Sequence, residues 1–319
     1  MSTDIRHDDI IPERAAGQRI DQALAEMFPD YSRSRLQQWL KAGSILVDGH
    51  TCRPRDRVRG GERVAVRAEL GDEAAVVPQA MDLDILFEDE HLLVVNKPPG
   101  LVVHPGAGNP DGTLQNALLH RHPELEGIPR CGIVHRIDKD TSGLLAVALT
   151  LKAHTSLVAQ LQDRTVGREY DALASGTFTG GGTVDAPIGR NPRDRIRMAV
   201  VSGGKPAVTR YRRLERFSAH TLLRVHLETG RTHQIRVHLA YIGHPLVGDP
   251  LYGGRPRLPK GADANIRQAL AGFRRQALHA ARLGLLHPGS GEPLRWDAPR
   301  PADFEALLER LRAFDAAAE

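Results

Sequence analysis

A chain of 319 residues has room for about two ordinary domains, each with its own core. Charge is nearly balanced, 43 Lys and Arg against 39 Asp and Glu, and the two cysteines, Cys52 and Cys131, stand too far apart for a disulfide framework or a zinc knuckle to be read. The start of the chain is studded with Asp and Arg, and no stretch approaches the roughly 18 uncharged apolar residues of a membrane helix, so neither export nor insertion is expected and a cytoplasmic location fits.

Residues 1–13 are expected to form a tail. Ile20, Ala23, Leu24 and Met27 then recur at helical spacing, and a second short helix is predicted from Ser32 as N-cap through Leu36, Trp39 and Leu40, stopped by Gly43. Ile45-Leu46-Val47, the Asp48-Gly49 turn signal and Val64-Ala65-Val66 follow as a small β unit. Residues 14–67 hold eleven Lys or Arg against six Asp or Glu, which leaves the remainder of the chain close to neutral. Such a surplus, mostly Arg, suits a phosphate backbone, because a guanidinium offers phosphate oxygens a planar fork. A merely solvated basic face is the bland alternative. The order helix, helix, strands, with the words Gly17-Gln18-Arg19-Ile20-Asp21, Ser32-Arg33-Ser34-Arg35, Gly43 to Gly49 and Gly60 to Val66, resembles the S4 RNA-binding domain. That resemblance implies RNA contacts from Arg19, Arg33, Arg35 and Lys41. Residues 68–78, acidic among alanines and ending at a proline, read as a linker, which puts the first domain at 14–77 and the second at 78–319.

From Asp82 onward, short apolar runs alternate with Gly, Pro and Asn, with a few helices between them, the pattern of an α+β domain. Residues 85–87 and 92–95 are predicted strands, and 113–119 and 153–161 predicted helices. Residues 221–228 alternate, with Leu223, Val225 and Leu227 on one side, as in a half-buried strand. Leu307, Leu308 and Leu311 mark an amphipathic helix over 304–314 that packs back onto the domain.

The chemistry concentrates in Gly132-Ile133-Val134-His135-Arg136-Ile137-Asp138-Lys139-Asp140-Thr141-Ser142-Gly143-Leu144-Leu145, where two apolar runs flank a loop crowded with polar groups. Loops held between rigid strands are where catalytic groups gather, although a turn satisfying its own backbone would look similar. This segment resembles the signature loop of the RluA family of pseudouridine synthases, with Ile137 in place of the usual Leu. Three further stretches match that family in order: Asn96-Lys97-Pro98-Pro99-Gly100-Leu101-Val102-Val103-His104-Pro105, then Arg168-Glu169-Tyr170, then Gly230-Arg231-Thr232-His233-Gln234-Ile235-Arg236-Val237-His238.

The resemblance implies an S4-type module followed by a catalytic domain built on a mixed, largely antiparallel sheet with flanking helices. It implies the conversion of uridine in 23S rRNA, or in a large ribosomal subunit precursor, to pseudouridine by a monomer. It makes Asp138 the catalytic carboxylate, Arg236 its partner, Tyr170 the residue stacked on the target uracil, and Arg136 the side chain that fills the space of the flipped-out nucleotide. His135, Lys97 and Arg231 are expected as further RNA contacts. Burial alone would raise an Asp pKa, whereas a guanidinium within roughly 4–6 Å lowers it by about 1–3 units and fixes its orientation. Thr232 is expected to cap a helix with Ile235, Leu239 and Ile242 on its apolar face, leaving Arg236 off that stripe.

No phosphate-binding loop or dinucleotide fingerprint is present, and His226, His233 and His238 lack the spacing and acidic partners of a metal site, so neither cofactor nor metal is expected. Two alternatives compete with the isomerase. A non-catalytic S4-type rRNA-binding or ribosome assembly factor would leave Asp138, Tyr170 and Arg236 without a purpose, and a glycosidase would call for a second carboxylate to position water.

Overall fold

The computed structural model describes residues 3–28, 31, 33–70, 76–106, 108–194 and 196–318. The chain divides into two compact units, Met1–Ala75 and Val76–Glu319.

The first unit contains β1 (Thr3–Ile10), α1 (Ile20–Met27), α2 (Arg33–Ala42), β2 (Ile45–Val47), β3 (His50–Thr51) and β4 (Arg63–Leu70), its strands ordered β1-β4-β2-β3. The apolar stripes behave as the spacing demands. Ile20, Ala23 and Leu24 of the first helix and Leu36, Trp39 and Leu40 of the second are buried against Ile45, Val64 and Val66. Each large side chain removed from water here stabilises the unit by about 1.5–3 kcal/mol. Two expectations need correction. The supposed tail is strand β1, antiparallel to β4 from Thr3 opposite Leu70 to Ile10 opposite Arg63, and the supposed linker begins inside β4. Ser32, the expected N-cap, lies outside the described residues, as do 71–75 of the linker.

The second unit opens with β5 (Ile85–Glu88), β6 (Leu92–Lys97), α3 (Leu114–Arg121), β7 (Ser142–Ala148), α4 (Leu151–Gln162) and β8 (Gly167–Ser175). It continues with β9 (Gly182–Asp185), β10 (Ile188–Arg190), β11 (Met198–Val200), β12 (Val208–Arg216), β13 (His220–Leu227) and α5 (Gln234–Tyr241), and ends with α6 (Ala264–Gly272), β14 (Leu278–Leu286), β15 (Pro293–Asp297) and α7 (Ala302–Ala318). The main sheet runs β5-β6-β7-β14-β8-β13-β12-β9, with β15 joined to β14, and only the β7–β14 pairing is parallel. Because side chains alternate across a strand, Leu145, Tyr170, Val225 and Leu278 share one face, covered by Leu114 and Leu118 of α3 and Ile235 and Leu239 of α5. On the opposite face Leu144 meets Leu157 of α4, while Leu173 and Leu222 meet α6 and α7 through Leu270, Leu307 and Leu308. The strand expected to be half buried is therefore covered on both sides in its first half, where Thr221 and Leu222 are buried as well as Leu223.

Candidate active site

The loop between the two apolar runs is fastened at both ends by backbone contact. A Cβ on Gly132 (φ +77°) would lie 1.9 Å from the Ala148 carbonyl oxygen, and one on Gly143 (φ +112°) would lie 2.3 Å from that of Ala280. Neither position has room for a side chain. Between them the Asp138 carbonyl accepts from the Thr141 N–H at 3.1 Å, closing a turn that turns the carboxylate into an open cleft of about 520 Å³. Tyr170, Arg236, His233, Arg136, Arg168 and Arg231 line the same cleft.

Arg236 projects from α5 away from the Ile235 and Leu239 stripe, as the helical spacing requires, and its side chain is only 5% exposed. Its Nη1 donates to Asp138 Oδ2 at 2.8 Å. Its Nε and Nη2 donate to Oδ2 and Oδ1 of Asp249 at 2.7 and 2.9 Å, a bidentate pair out of contact with water. Burial works against the guanidinium, but Asp249 and then Asp138 overcome it and hold Arg236 firmly protonated. One planar cation thus joins two carboxylates, of which Asp249 is sealed and Asp138 faces the cleft. The Tyr252 ring lies 5.1 Å from the guanidinium carbon, and its hydroxyl accepts the Met198 N–H and meets His233 Nδ1 at 2.9 Å. His233 Nε2 stands 3.9 Å from Asp138 Oδ1. Burial lowers the His233 pKa, with Asp138 opposing.

Tyr170 lies in β8, 5% exposed, with its ring in the apolar half of the cleft. Burial raises its phenol pKa, Asp138 adds to that rise, and Arg168 opposes it.

The remaining expected contacts separate into those at the cleft and those elsewhere. Arg136 is exposed at the rim with Nη1 3.5 Å from His104 Nε2, and Arg231 donates from Nε to the Pro206 carbonyl. His135 borders the cleft, but its Nε2 accepts the Ala146 N–H at 3.0 Å, and burial pushes its pKa down to about 3. The imidazole is a neutral brace for β7 and carries no charge for a phosphate. Lys97 requires a plain correction. It is fully buried, and its amino group donates at 2.8 Å to the carbonyls of Pro98, Leu101 and Lys139. No donor is left for RNA. Desolvation brings its pKa down to about 7, yet three acceptors converging on one nitrogen require the ammonium form. Lys97 ties the loop after β6 to the residue following Asp138.

Thr232 does not cap α5 either. His233 holds the N-cap position in the left-handed region (φ +57°) without a side-chain cap, and Gln234 takes over by accepting the Arg231 N–H and the Thr229 hydroxyl. His238 spends both ring nitrogens on Thr209 and the Ala186 carbonyl. In the first unit Arg19 and Arg33 both donate to the fully buried Asp21, at 2.8–3.2 Å. Burial alone would raise that carboxyl, but hydrogen bonds from Arg33, Gln37 and Arg19 win and hold it below the usual range. The pair is 40% and 44% exposed, so each guanidinium keeps a free side, and Lys41 is exposed at the end of α2, while Arg35 is half-buried.

Asp249 and Tyr252 were missed in the sequence. Gly248-Asp249-Pro250 has the composition of a turn, and Asp249 is one, accepting the N–H groups of Leu251 and Tyr252 on Oδ1. Only the buried arginine opposite gives it a second role.

Comparison with known proteins identifies the family. Residues 91–241 match the RNA pseudouridylate synthase model and residues 18–64 the S4 domain model. The chain is 58% identical over 303 residues to the ribosomal large subunit pseudouridine synthase D of Xanthomonas campestris pv. campestris, covering 95% of this chain and 92% of that protein. It is 58% identical over 304 residues to the protein of the same name from Escherichia coli K12, covering 95% and 93%. The solved structure of human RNA pseudouridylate synthase domain containing 4 superposes with a TM-score of 0.56 at 28% identity, covering 72% of this chain and 92% of that one. By these matches, which take in both the S4 domain and the synthase domain, the chain belongs to the RluA-type RNA pseudouridine synthases.

Proposed function

We propose that the protein isomerises specific uridines of 23S rRNA to pseudouridine, with Asp138 as the group that acts on the ribose. The observation that carries this reading is the single hydrogen-bonded line Asp138–Arg236–Asp249 opening onto a cleft that also holds Tyr170. The reaction is a rearrangement within one nucleotide: the C1′–N1 bond breaks, uracil turns, C5 bonds to C1′, the C5 proton leaves and N1 takes up a proton. Cleavage develops positive charge on the sugar, and an ionised carboxylate beside it either adds to C1′ or takes the C2′ proton. Arg236 holds the carboxylate aimed through its 2.8 Å hydrogen bond. Tyr170 stacks on the freed base, and its phenol, protonated at neutral pH, is placed to serve in the proton transfer at C5. A uridine in folded RNA must first leave its stack at a cost of a few kcal/mol, and Arg136 at the rim is positioned to fill the gap. The Arg19 and Arg33 pair supplies backbone affinity from the first unit.

The names of the relatives support the ribosomal substrate, and the S4 match supports RNA binding. The test is tritium release from large-subunit rRNA carrying 5-tritiated uridine. The parent protein releases tritium to water without free uracil, and Asp138→Asn abolishes release while RNA affinity is kept. Free uracil, or equal loss of affinity and turnover in the variant, would overturn the proposal.

A further inference from the structure

Arg168 is a cation in the cleft with no counter-ion among the described residues. It lies two residues before Tyr170 in β8, so both side chains point to the same face of the sheet and both line the cleft. Its Nε is buried and has no hydrogen-bond partner among the described residues. The two carboxylates that line the cleft are already engaged, Asp138 by Arg236 and Glu228 by Arg210. Glu169, its neighbour in sequence, faces the other way and pairs with Arg224 and Arg282. The charge is felt locally: after burial itself, Arg168 is what disfavours protonation of His135, and it opposes the rise of the Tyr170 phenol pKa. Space is also reserved for it, because a Cβ on Gly230 would lie 2.9 Å from Arg168 Nη1. A half-buried guanidinium left unpaired costs stability, and a binding site tolerates that cost when the ligand brings the missing negative charge.

We propose that Arg168 is a catalytic residue that stabilises the departing uracil. This rests on the isomerase reading above. When the C1′–N1 bond breaks, its electron pair goes to the base and spreads from N1 onto O2 and O4. Arg168 N–H groups donate to one of these oxygens while Tyr170 holds the ring; the negative charge is spent when C5 bonds to C1′, and loss of the C5 proton with protonation of N1 gives the neutral isomer. Asp138 and Arg168 thus divide the work, the carboxylate facing the positive sugar and the guanidinium facing the negative base. Donors aimed at charge that exists only in the transition state act on the rate of chemistry more than on binding.

The experiment compares Arg168→Met and Arg168→Lys with the parent in single-turnover reactions on two rRNA transcripts, one with uridine and one with 5-fluorouridine, read by nuclease digestion and chromatography. The fluorinated base is the better leaving anion and needs less help. Arg168→Met is expected to slow uridine rearrangement about 100-fold, the scale of removing one such donor. It should slow the fluorinated substrate clearly less, with RNA affinity and its salt dependence unchanged. Arg168→Lys keeps the charge and should recover part of the rate on uridine, and it serves as the informative variant if the methionine protein does not fold. Equal slowing of both substrates by the folded variant overturns the proposal. So does a weaker affinity with a shallower salt slope and intact chemistry, which would make Arg168 a phosphate contact. A parent protein inactive on both transcripts would refute the isomerase reading itself.

Discussion

Asp249→Asn separates an oriented Arg236 from a merely charged one. In the structure Asp249 takes two guanidinium N–H bonds of 2.7 and 2.9 Å in a site closed to water, while the third, 2.8 Å long, reaches Asp138. Asparagine keeps one acceptor and turns an NH2 group toward the guanidinium, so one charge-assisted bond is lost and donor meets donor. Such a bond contributes about 1.5–3 kcal/mol, and disrupting a buried pair costs about 3–5 kcal/mol. With one oxygen retained, roughly 3 kcal/mol of stability should disappear in denaturant titration. If a comparable share of the Asp138 alignment goes with it, kcat falls about 100-fold while KM for RNA stays near the parent value. Single-turnover tritium release measures the first quantity and RNA titration of the initial rate the second. Arg236→Lys, which keeps a charge but cannot fork between two carboxylates, should show the same split. A folded Asp249→Asn protein turning over within a factor of about two of the parent would refute the argument that the sealed carboxylate aims the open one.

His135 gives a pH prediction. Its folded pKa, about 3, is below the unfolded value near 6.5, so the unfolded chain binds the extra proton and stability falls as pH drops through that window. Because the residue is partly exposed, the loss between pH 7 and pH 5 should be roughly 1–2 kcal/mol, and His135→Leu should flatten that difference in denaturation curves taken at the two pH values. An unchanged pH slope would show that the imidazole is protonated in the fold. Removing residues 1–75 should weaken binding to rRNA and lower the slope of log affinity against log salt, because phosphate contacts are lost. An equal slope in filter-binding titrations would remove the first unit from the RNA interface.

Much of the fold could be read from periodicity. Strands with apolar alternation and helices with three- and four-residue spacing emerged where expected, since burial on a sheet face or a helix stripe dictates those patterns. Arg236 falls off the Ile235 and Leu239 stripe for the same reason. Lys97 reads as a solvated RNA contact because lysine is normally exposed, and nothing local announces that carbonyls of its own following loop and of the distant Asp138 loop converge on its nitrogen. Strand β1 reads as a tail because Asp4, Asp8 and Asp9 obscure its alternation, and its partner lies about sixty residues away. Asp249 carries an ordinary turn signature, so its pairing with Arg236 belongs to tertiary structure alone.

The place of β14 governs when the enzyme comes into being. It lies between β7, which leads out of the Asp138 loop, and β8, which carries Tyr170, although its residues, 278–286, come more than a hundred positions after both. Until that stretch leaves the ribosome and slots in, the two walls of the cleft have nothing to join them. A chain growing at about 5–20 residues per second therefore passes many seconds with its signature loop made but unassembled. Strand order alone thus defers closure of the cleft until residues 278–286 have been made.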